Sequence, residues 1–392
     1  MMLLVAEPRL GADEKAALAD VIDSGWITMG DRVRDFERAF AAAHKAGDAV
    51  AVSSCTAGLH LAMEGLGIGP GDEVLVPSLT FVATANSVLY AGAEPVFVDI
   101  ESLDTPHISL EDAAAKCTAR TKGVVVMHYA GYLADREEWR AFADSRGLFL
   151  IEDCAHAPGA GHGSTIADAA VFSFYGNKNM TTAEGGIVFA RDRGVRDRIR
   201  QMRSHGMTTG TLQRLSSGKT SYDVTMLGYN YRMDELRAAI GLVQIKNLDS
   251  WNEQRGALTQ AYRMKLAAHC SSVLVPFSQP RDSVYHILPV VLPKGTDRKC
   301  VSEKLRTAGI QTTVHYPPVH EFSWYRRRSP SIRLPLTEEF ARRELTLPLH
   351  PRLGESELEF VVRALSNALA PGSLHDDLDS PSAAAAASIR GP

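Results

Sequence analysis

Short apolar runs recur along the first half of the chain, and a stretch of helical spacing separates each from the next. Residues 49–52, 73–77, 95–100, 123–127 and 148–152 are nearly continuous in apolar side chains. That continuity predicts strands covered on both faces rather than strands with one wet face. Between them, residues 53–67, 81–91, 111–117 and 136–145 carry apolar positions three and four apart, the spacing of one helix face. Two further helices are predicted at 14–24 and 33–43, joined by an ordered loop, GWITMGD. The alternation of strand and helix predicts an α/β fold with a largely parallel central sheet. Two more apolar runs, 169–174 and 185–190, follow at closer spacing.

Beyond residue 190 the pattern loosens. A basic helix is predicted at 195–203, then a polar, irregular stretch at 207–226 whose length suggests a mobile or binding loop rather than a linker. Helices follow at 234–246 and 251–268, and a domain boundary is expected near residue 250. The rest reads as a small α+β domain: strand 287–292, helix 299–309, strand 311–315, a proline-rich loop and helix 355–369. The expected division is a large domain over 1–250, a small one over 251–370, and a disordered tail over 371–392, where small, polar and alanine residues predominate. No internal repeat is visible.

The chain has 392 residues, 45% of them hydrophobic and 22% charged, enough for a large core and two domains. A net charge of -4 argues against a nucleic-acid footprint. The first residues, MMLLVAEPRL, lack the apolar core and cleavage pattern of a signal peptide, and no apolar run approaches a membrane span of about 20 residues. Five scattered cysteines form no paired framework and no metal-binding spacing, so a reduced cytoplasmic setting and no metal are expected.

The chemistry centres on AAVFSFYGNKNMTTAE, residues 169–184, in which Lys178 is the only charge before Glu184. One amine on a loop between two apolar strands, flanked by Ser173, Asn177, Asn179, Thr181 and Thr182, fits a lysine whose pKa is depressed and which serves as a nucleophile toward a carbonyl. A surface-loop or snorkelling lysine fits the same string. Ser53, Ser54 and Thr56 crowd the start of the helix after the first strand, which suits an anion on free backbone N–H groups and equally suits ordinary N-capping. Asp153 and His156 follow a strand end, and Phe81 follows another. In sheets of this kind ligands gather beyond the carboxyl ends of the strands. A Schiff-base amine, a phosphate cradle, an acid for a pyridine nitrogen and an aromatic face are the needs of pyridoxal phosphate. The first strand is not followed by a G-x-G-x-x-G fingerprint, which weakens a dinucleotide reading.

Eight strings carry a resemblance to a known family: GWITMG, AVSSCTAGLHLAMEGLGIGPGDEVLVPSLTFVATAN, AEPVFVDI, VMHYAG, LIEDCAHAPGA, FSFYGNKNMTTAEGG, GYNYRMDELRAAIGLVQ and TVHYPPVH. They span roughly residues 25–320, in order. The chain resembles the DegT-type nucleotide-sugar aminotransferases, which have the aspartate aminotransferase fold (fold type I) and depend on pyridoxal phosphate. The nearest likeness is to enzymes that aminate C4 of a nucleotide-linked 4-keto sugar, with glutamate or glutamine as amino donor.

The resemblance implies that Lys178 is the Schiff-base lysine and the acid and base of the proton shift. It implies that Asp153 pairs with the pyridine nitrogen and that His156 lies by the cofactor ring, where many relatives carry Gln. Thr56 and Ala57 would offer backbone N–H groups, and Thr56 and Ser173 hydroxyls, to the phosphate. Phe81 would stack on the ring. Asn230 would reach the phosphate site of a second copy, implying a homodimer with shared active sites. Tyr316 and His320 would face the sugar nucleotide, with Trp26, Ile27 and Thr28 at the mouth; His286 and Arg232 are further candidates. Asp31 stands where relatives often have Pro, which bears on the loop's local geometry. Amination at C3 or of a keto-cyclitol such as scyllo-inosose, a dehydratase, and a non-catalytic regulator are the alternative readings. Lys178 argues against a dehydratase, in which histidine replaces the lysine. The lack of a basic helix-turn-helix argues against the regulator.

Overall fold

The computed structural model describes residues 2–160, 166–209, 221–279 and 281–370. The expected tail and the middle of the predicted 207–226 loop lie outside the described residues. Seven strands form one sheet: β1 (Val50–Val52), β2 (Glu73–Pro77), β3 (Glu94–Val98), β4 (Thr121–Met127), β5 (Phe149–Asp153), β6 (Ala169–Ser173) and β7 (Gly186–Ala190). Their order is β1-β7-β6-β5-β4-β2-β3. Only β7 runs against its neighbours, pairing antiparallel with both β1 and β6. The rest are parallel, as the continuous apolar runs predict.

Both faces of the sheet are covered. One carries Val50, Val52, Val171 and Val188 beneath the helix Cys55–Gly65, where Leu59, Ala62 and Met63 bury fully. Another cluster joins Phe36 and Phe40 of the helix Asp31–Ala43 to Phe172, Phe174 and Phe189. Side chains of this size contribute about 1.5–3 kcal/mol each when fully buried. Asp31 is the first residue of its helix, a position that suits proline or an acid equally, so the departure at that site leaves the helix start intact.

A second pair of strands, β8 (Leu288–Val291) and β9 (Glu344–Leu347), forms a separate antiparallel ladder. Around it, Tyr262, Leu266, Val301, Leu305, Leu358, Val361 and Leu365 make their own core. The 22-residue helix Leu248–His269 spans both parts: Leu248 packs with the aromatic cluster, Tyr262 and Leu266 with the second core. Leu3 also joins this second core, through a bridge to Ile310.

Here the structure corrects the expectation for 311–315. That segment is not a strand; Thr313 alone makes one bridge to Thr346. The partner of β8 is β9, whose sequence ELTL is short and begins with an acid. Two helices, Ser323–Arg328 and Pro335–Arg343, occupy what reads as proline-rich loop. Among the described residues no helix is long and apolar enough to cross a membrane, and all five cysteines are free.

Candidate active site

Strand β6 ends at Ser173 and β7 begins at Gly186, so the loop carrying Lys178 is closed at both ends by the sheet. Its polar residues are spent on holding the loop. Phe174 O accepts from Thr182 N at 2.9 Å and from Thr181 Oγ1 at 3.2 Å. Asn179 Nδ2 donates to Asn252 Oδ1 and to Val284 O, both at 2.8 Å. Thr181 N donates to Gln244 Oε1 at 3.2 Å. Among the described residues none forms a hydrogen bond or ion pair with Lys178 Nζ. The side chain keeps part of its surface open, yet the packing around the amine lowers its pKa to about 8, and the nearby Asp153 and Cys55 offset this only partly.

Asp153 closes β5, between Met127 of β4 and Val171 of β6. It is buried. Its Oδ2 accepts from Thr84 Oγ1 at 2.7 Å and its Oδ1 from Ala155 N at 3.0 Å. Thr84 is steadied in turn by Thr80 at 2.7 Å. Burial raises the carboxyl's pKa, while these two donors and the Lys178 charge pull it down.

The helix Cys55–Gly65 begins where β1 ends. Ser54 is its N-cap, and Ser54 Oγ accepts Ala57 N–H at 3.1 Å. Ala57 N–H, which the resemblance assigns to the phosphate, thus meets a side-chain hydroxyl here. Cys55 and Thr56 occupy the first-turn positions whose N–H groups have no carbonyl partner within the helix. The cradle is packed from below: a Cβ on Gly186 would lie 2.7 Å from Cys55 N, and one on Gly58 2.7 Å from Val171. Ser173 is buried, and its Oγ accepts weakly from Tyr175 N at 3.4 Å.

His156 is fully buried. Ala130 N donates to its Nδ1 at 3.2 Å, so in the neutral ring the proton sits on Nε2, 2.7 Å from Tyr316 Oη. Burial holds its pKa well below the usual range, so the ring is neutral. Tyr316 thus accepts from His156 and keeps its own O–H free to donate. Phe81 is exposed, with its ring 6.0 Å from that of Tyr316. His286 packs its ring at a tilt against His156, centroids 4.3 Å apart, and bonds Asn179 Oδ1 at 2.8 Å, leaving its buried Nε2 without a partner among the described residues.

Other predicted residues lie apart. Asn230 is exposed and bridges Ser204. Thr28 and Arg232 line a cavity of about 840 Å³, together with Arg34 and Arg203; none of Lys178, Asp153 and His156 lines it. Ile27 is exposed, and Trp26 folds its ring over Gly30. His320 turns to Ser78 Oγ, 2.7 Å from its Nδ1, and to Glu338, 3.5 Å from its Nε2. Its hydrogen bonds do not join the Lys178 group. A third contact set, His128, Glu152 and Cys154, is spaced for a metal, but Arg136 holds Glu152 at 2.6 and 2.9 Å.

Several structural partners escape sequence reading. Glu235 Oε1 accepts from Gly30 N at 2.8 Å and Val33 N at 3.0 Å, and Oε2 from Arg32 N at 3.0 Å, so it caps the helix Asp31–Ala43 from 200 residues away. Thr84, His315 and Glu344 also surround the site. Thr84 had a signal in its place four residues after Thr80; the others had none.

These residues fit pyridoxal phosphate. A partly buried, unbonded amine stands near a buried acid, an open helix N-terminus and an exposed aromatic ring.

Comparison with known proteins agrees. The model of the DegT/DnrJ/EryC1/StrS aminotransferase family matches residues 8–366. The aminotransferase TlmJ from Streptoalloteichus hindustanus is 34% identical, with a TM-score of 0.87, over 94% of this chain and 99% of its own. DesV from S. venezuelae, solved with a ketimine intermediate, is 35% identical, with a TM-score of 0.83, over 91% and 94%. PseC from Helicobacter pylori, an aminotransferase of pseudoaminic acid biosynthesis, is 27% identical, with a TM-score of 0.87, over 94% and 99%. The chain is thus a fold type I sugar aminotransferase that depends on pyridoxal phosphate, and it belongs to the DegT/DnrJ/EryC1/StrS family.

Proposed function

We propose that the chain converts a UDP- or dTDP-linked 4-keto-6-deoxyhexose to the 4-amino sugar, taking the amino group from glutamate or glutamine. The observation that carries this reading is the Lys178 amine, unbonded to any described residue and depressed to about 8, with Asp153 close enough to act on its charge. The leaning to C4 rests on His156, which stands where many relatives have Gln.

Bound pyridoxal phosphate supplies an electron sink for the carbon next to the transferred nitrogen. The chain's residues do the rest. Lys178 anchors the cofactor and, when displaced, takes and returns the proton at Nζ. Asp153, held by Thr84 and Ala155 N–H, keeps the pyridine nitrogen protonated. Cys55 and Thr56 N–H groups and the Thr56 and Ser173 hydroxyls bind the phosphate, and Phe81 covers the ring. Neutral His156 aims its proton at Tyr316, whose own hydroxyl points its donor at the sugar side. Asn230, exposed and apart from Lys178, serves the phosphate site of a second copy in a homodimer. Trp26, Ile27 and Thr28 form the mouth, and Tyr316 and His320 face the sugar nucleotide.

The test is direct. The cofactor-loaded protein should be yellow and turn over 4-keto sugar nucleotides with glutamate or glutamine. Lys178→Ala should lose both the colour and the turnover. Turnover confined to 3-keto sugars or scyllo-inosose would overturn the C4 assignment, and normal turnover by Lys178→Ala would overturn the mechanism.

A further inference from the structure

Glu344 opens β9 and is fully buried. Strand alternation puts Glu344 and Thr346 on one face. Glu344 Oε2 accepts the backbone N–H of His315 at 2.9 Å, and its Oε1 lies 2.5 Å from Thr346 Oγ1. The same hydroxyl is 2.9 Å from His315 Nδ1. Three buried side chains therefore close a ring of hydrogen bonds around the backbone of His315. The carbonyl of His315 is held from the other side by Tyr129 Oη. The next residue is Tyr316, whose hydroxyl meets His156.

A hydroxyl has one proton to give. Thr346 must donate to one neighbour and accept from the other, so the ring has two arrangements. With Glu344 ionised, Thr346 donates to it and His315 carries its proton on Nδ1. With Glu344 neutral, the acid donates to Thr346, Thr346 donates to Nδ1, and the His315 proton sits on Nε2. Passing from the second to the first releases one proton to solvent: His315 Nε2 loses its proton, Nδ1 takes that of Thr346, and Thr346 takes that of Glu344.

We propose that Glu344 is a positioning residue: through Thr346 it sets which nitrogen of His315 bears the proton, and it holds Tyr316 against His156. Its link to turnover rests on the transamination reading above; the tautomer link does not.

The groups around Glu344 keep this exchange in the working range. Burial raises its pKa to about 8, against the pull of Thr346, His315 N–H and Arg298. Arg298 Nη1 donates to the Glu344 carbonyl at 3.2 Å. Tyr129 and Tyr316 are pushed up by burial and by Glu344, so both stay neutral. Burial holds His315 at about 3, with Lys178 adding to the effect, so its tautomer changes and its charge does not. The ring of His315 lies 4.9 Å from that of Tyr316 and 6.2 Å from that of His156.

The experiment uses the cofactor-loaded protein with ¹⁵N-labelled histidine, followed by long-range ¹H–¹⁵N spectra from pH 6 to 9.5. His315 should change from the Nε2–H to the Nδ1–H form with a midpoint near 8. In Glu344→Gln the side-chain amide donates to Thr346 permanently, so His315 should stay in the Nε2–H form throughout. Thr346→Val, of equal size, should uncouple His315 from pH. The kcat profile should lose the corresponding step in both variants, while KM for the amino donor stays within about twofold. A single His315 tautomer at every pH in the parent, or an unchanged kcat profile in Glu344→Gln, would overturn the proposal. A parent inactive on every keto sugar would overturn the functional reading alone, and the spectra would still decide the tautomer link.

Discussion

Tyr316 Oη lies 2.7 Å from His156 Nε2, while Ala130 N–H occupies the ring's other nitrogen. The pair comes from distant segments and fixes one tautomer on a neutral, buried imidazole. Tyr316→Phe leaves Nε2–H without an acceptor. It should cost about 1–3 kcal/mol of stability by urea unfolding and lower kcat/KM roughly tenfold or more. Parent-like values of both would mean the hydroxyl is idle.

Lys178 gives a pH-dependent prediction for the cofactor-free protein. Its amine falls from an ordinary 10.5 to about 8 on folding. Between those values the unfolded chain binds more protons, so stability rises with pH across that window and the full penalty applies below 8. Lys178→Met removes the penalty. The variant should be more stable than the parent at pH 7, by at most about 3 kcal/mol, with the gain shrinking from pH 8 to 10.5. A gain that is absent, or that grows with pH, contradicts the assigned burial.

Glu235 presents its carboxylate to three backbone N–H groups at the start of the helix Asp31–Ala43. Glu235→Ala orphans all three and should cost about 2–4 kcal/mol. Amide exchange should quicken at Gly30, Arg32 and Val33 before it does elsewhere. Uniform quickening would point to general destabilisation instead.

Gly186 is where the sheet touches the turn at Ser54 and Cys55. A Cβ there would meet backbone, 2.7 Å from Cys55 N and 2.8 Å from Ser54 C and O. Backbone cannot swing aside as a side chain does. Gly186→Ala should therefore weaken pyridoxal phosphate binding about tenfold or more, with far-UV circular dichroism unchanged. Parent-like affinity in a titration would show that the turn has room to move.

Thr84→Val removes the hydroxyl donor to Asp153 Oδ2. The carboxyl already stands above its usual pKa because of burial, and losing this bond should raise it further. Cofactor affinity should fall earlier on acidification than in the parent, which titrations across pH 5–8 would detect.

Much of this was legible from residues alone. The strands of the large sheet are continuous apolar runs, and such runs mark parallel strands because helices cover both faces. Lys178 stood out because it is the only charge in its stretch before Glu184. The misses share a different cause. Strand β9 hides because its first residue is an acid, and a buried Glu reads as surface until its partners are seen. Glu235 reads as an ordinary helix-start acid, and only folding brings it to the N-terminus of another helix.

The sheet order also governs when this protein can first become itself. Strand β1 has one partner strand, β7, and that strand is made far later on the ribosome. Until residue 190 has emerged, the segment leading into the turn at Ser54 lacks the strand it pairs with, whatever its own helix does. Nascent chains stalled before that point should be unable to capture the vitamin B6 coenzyme.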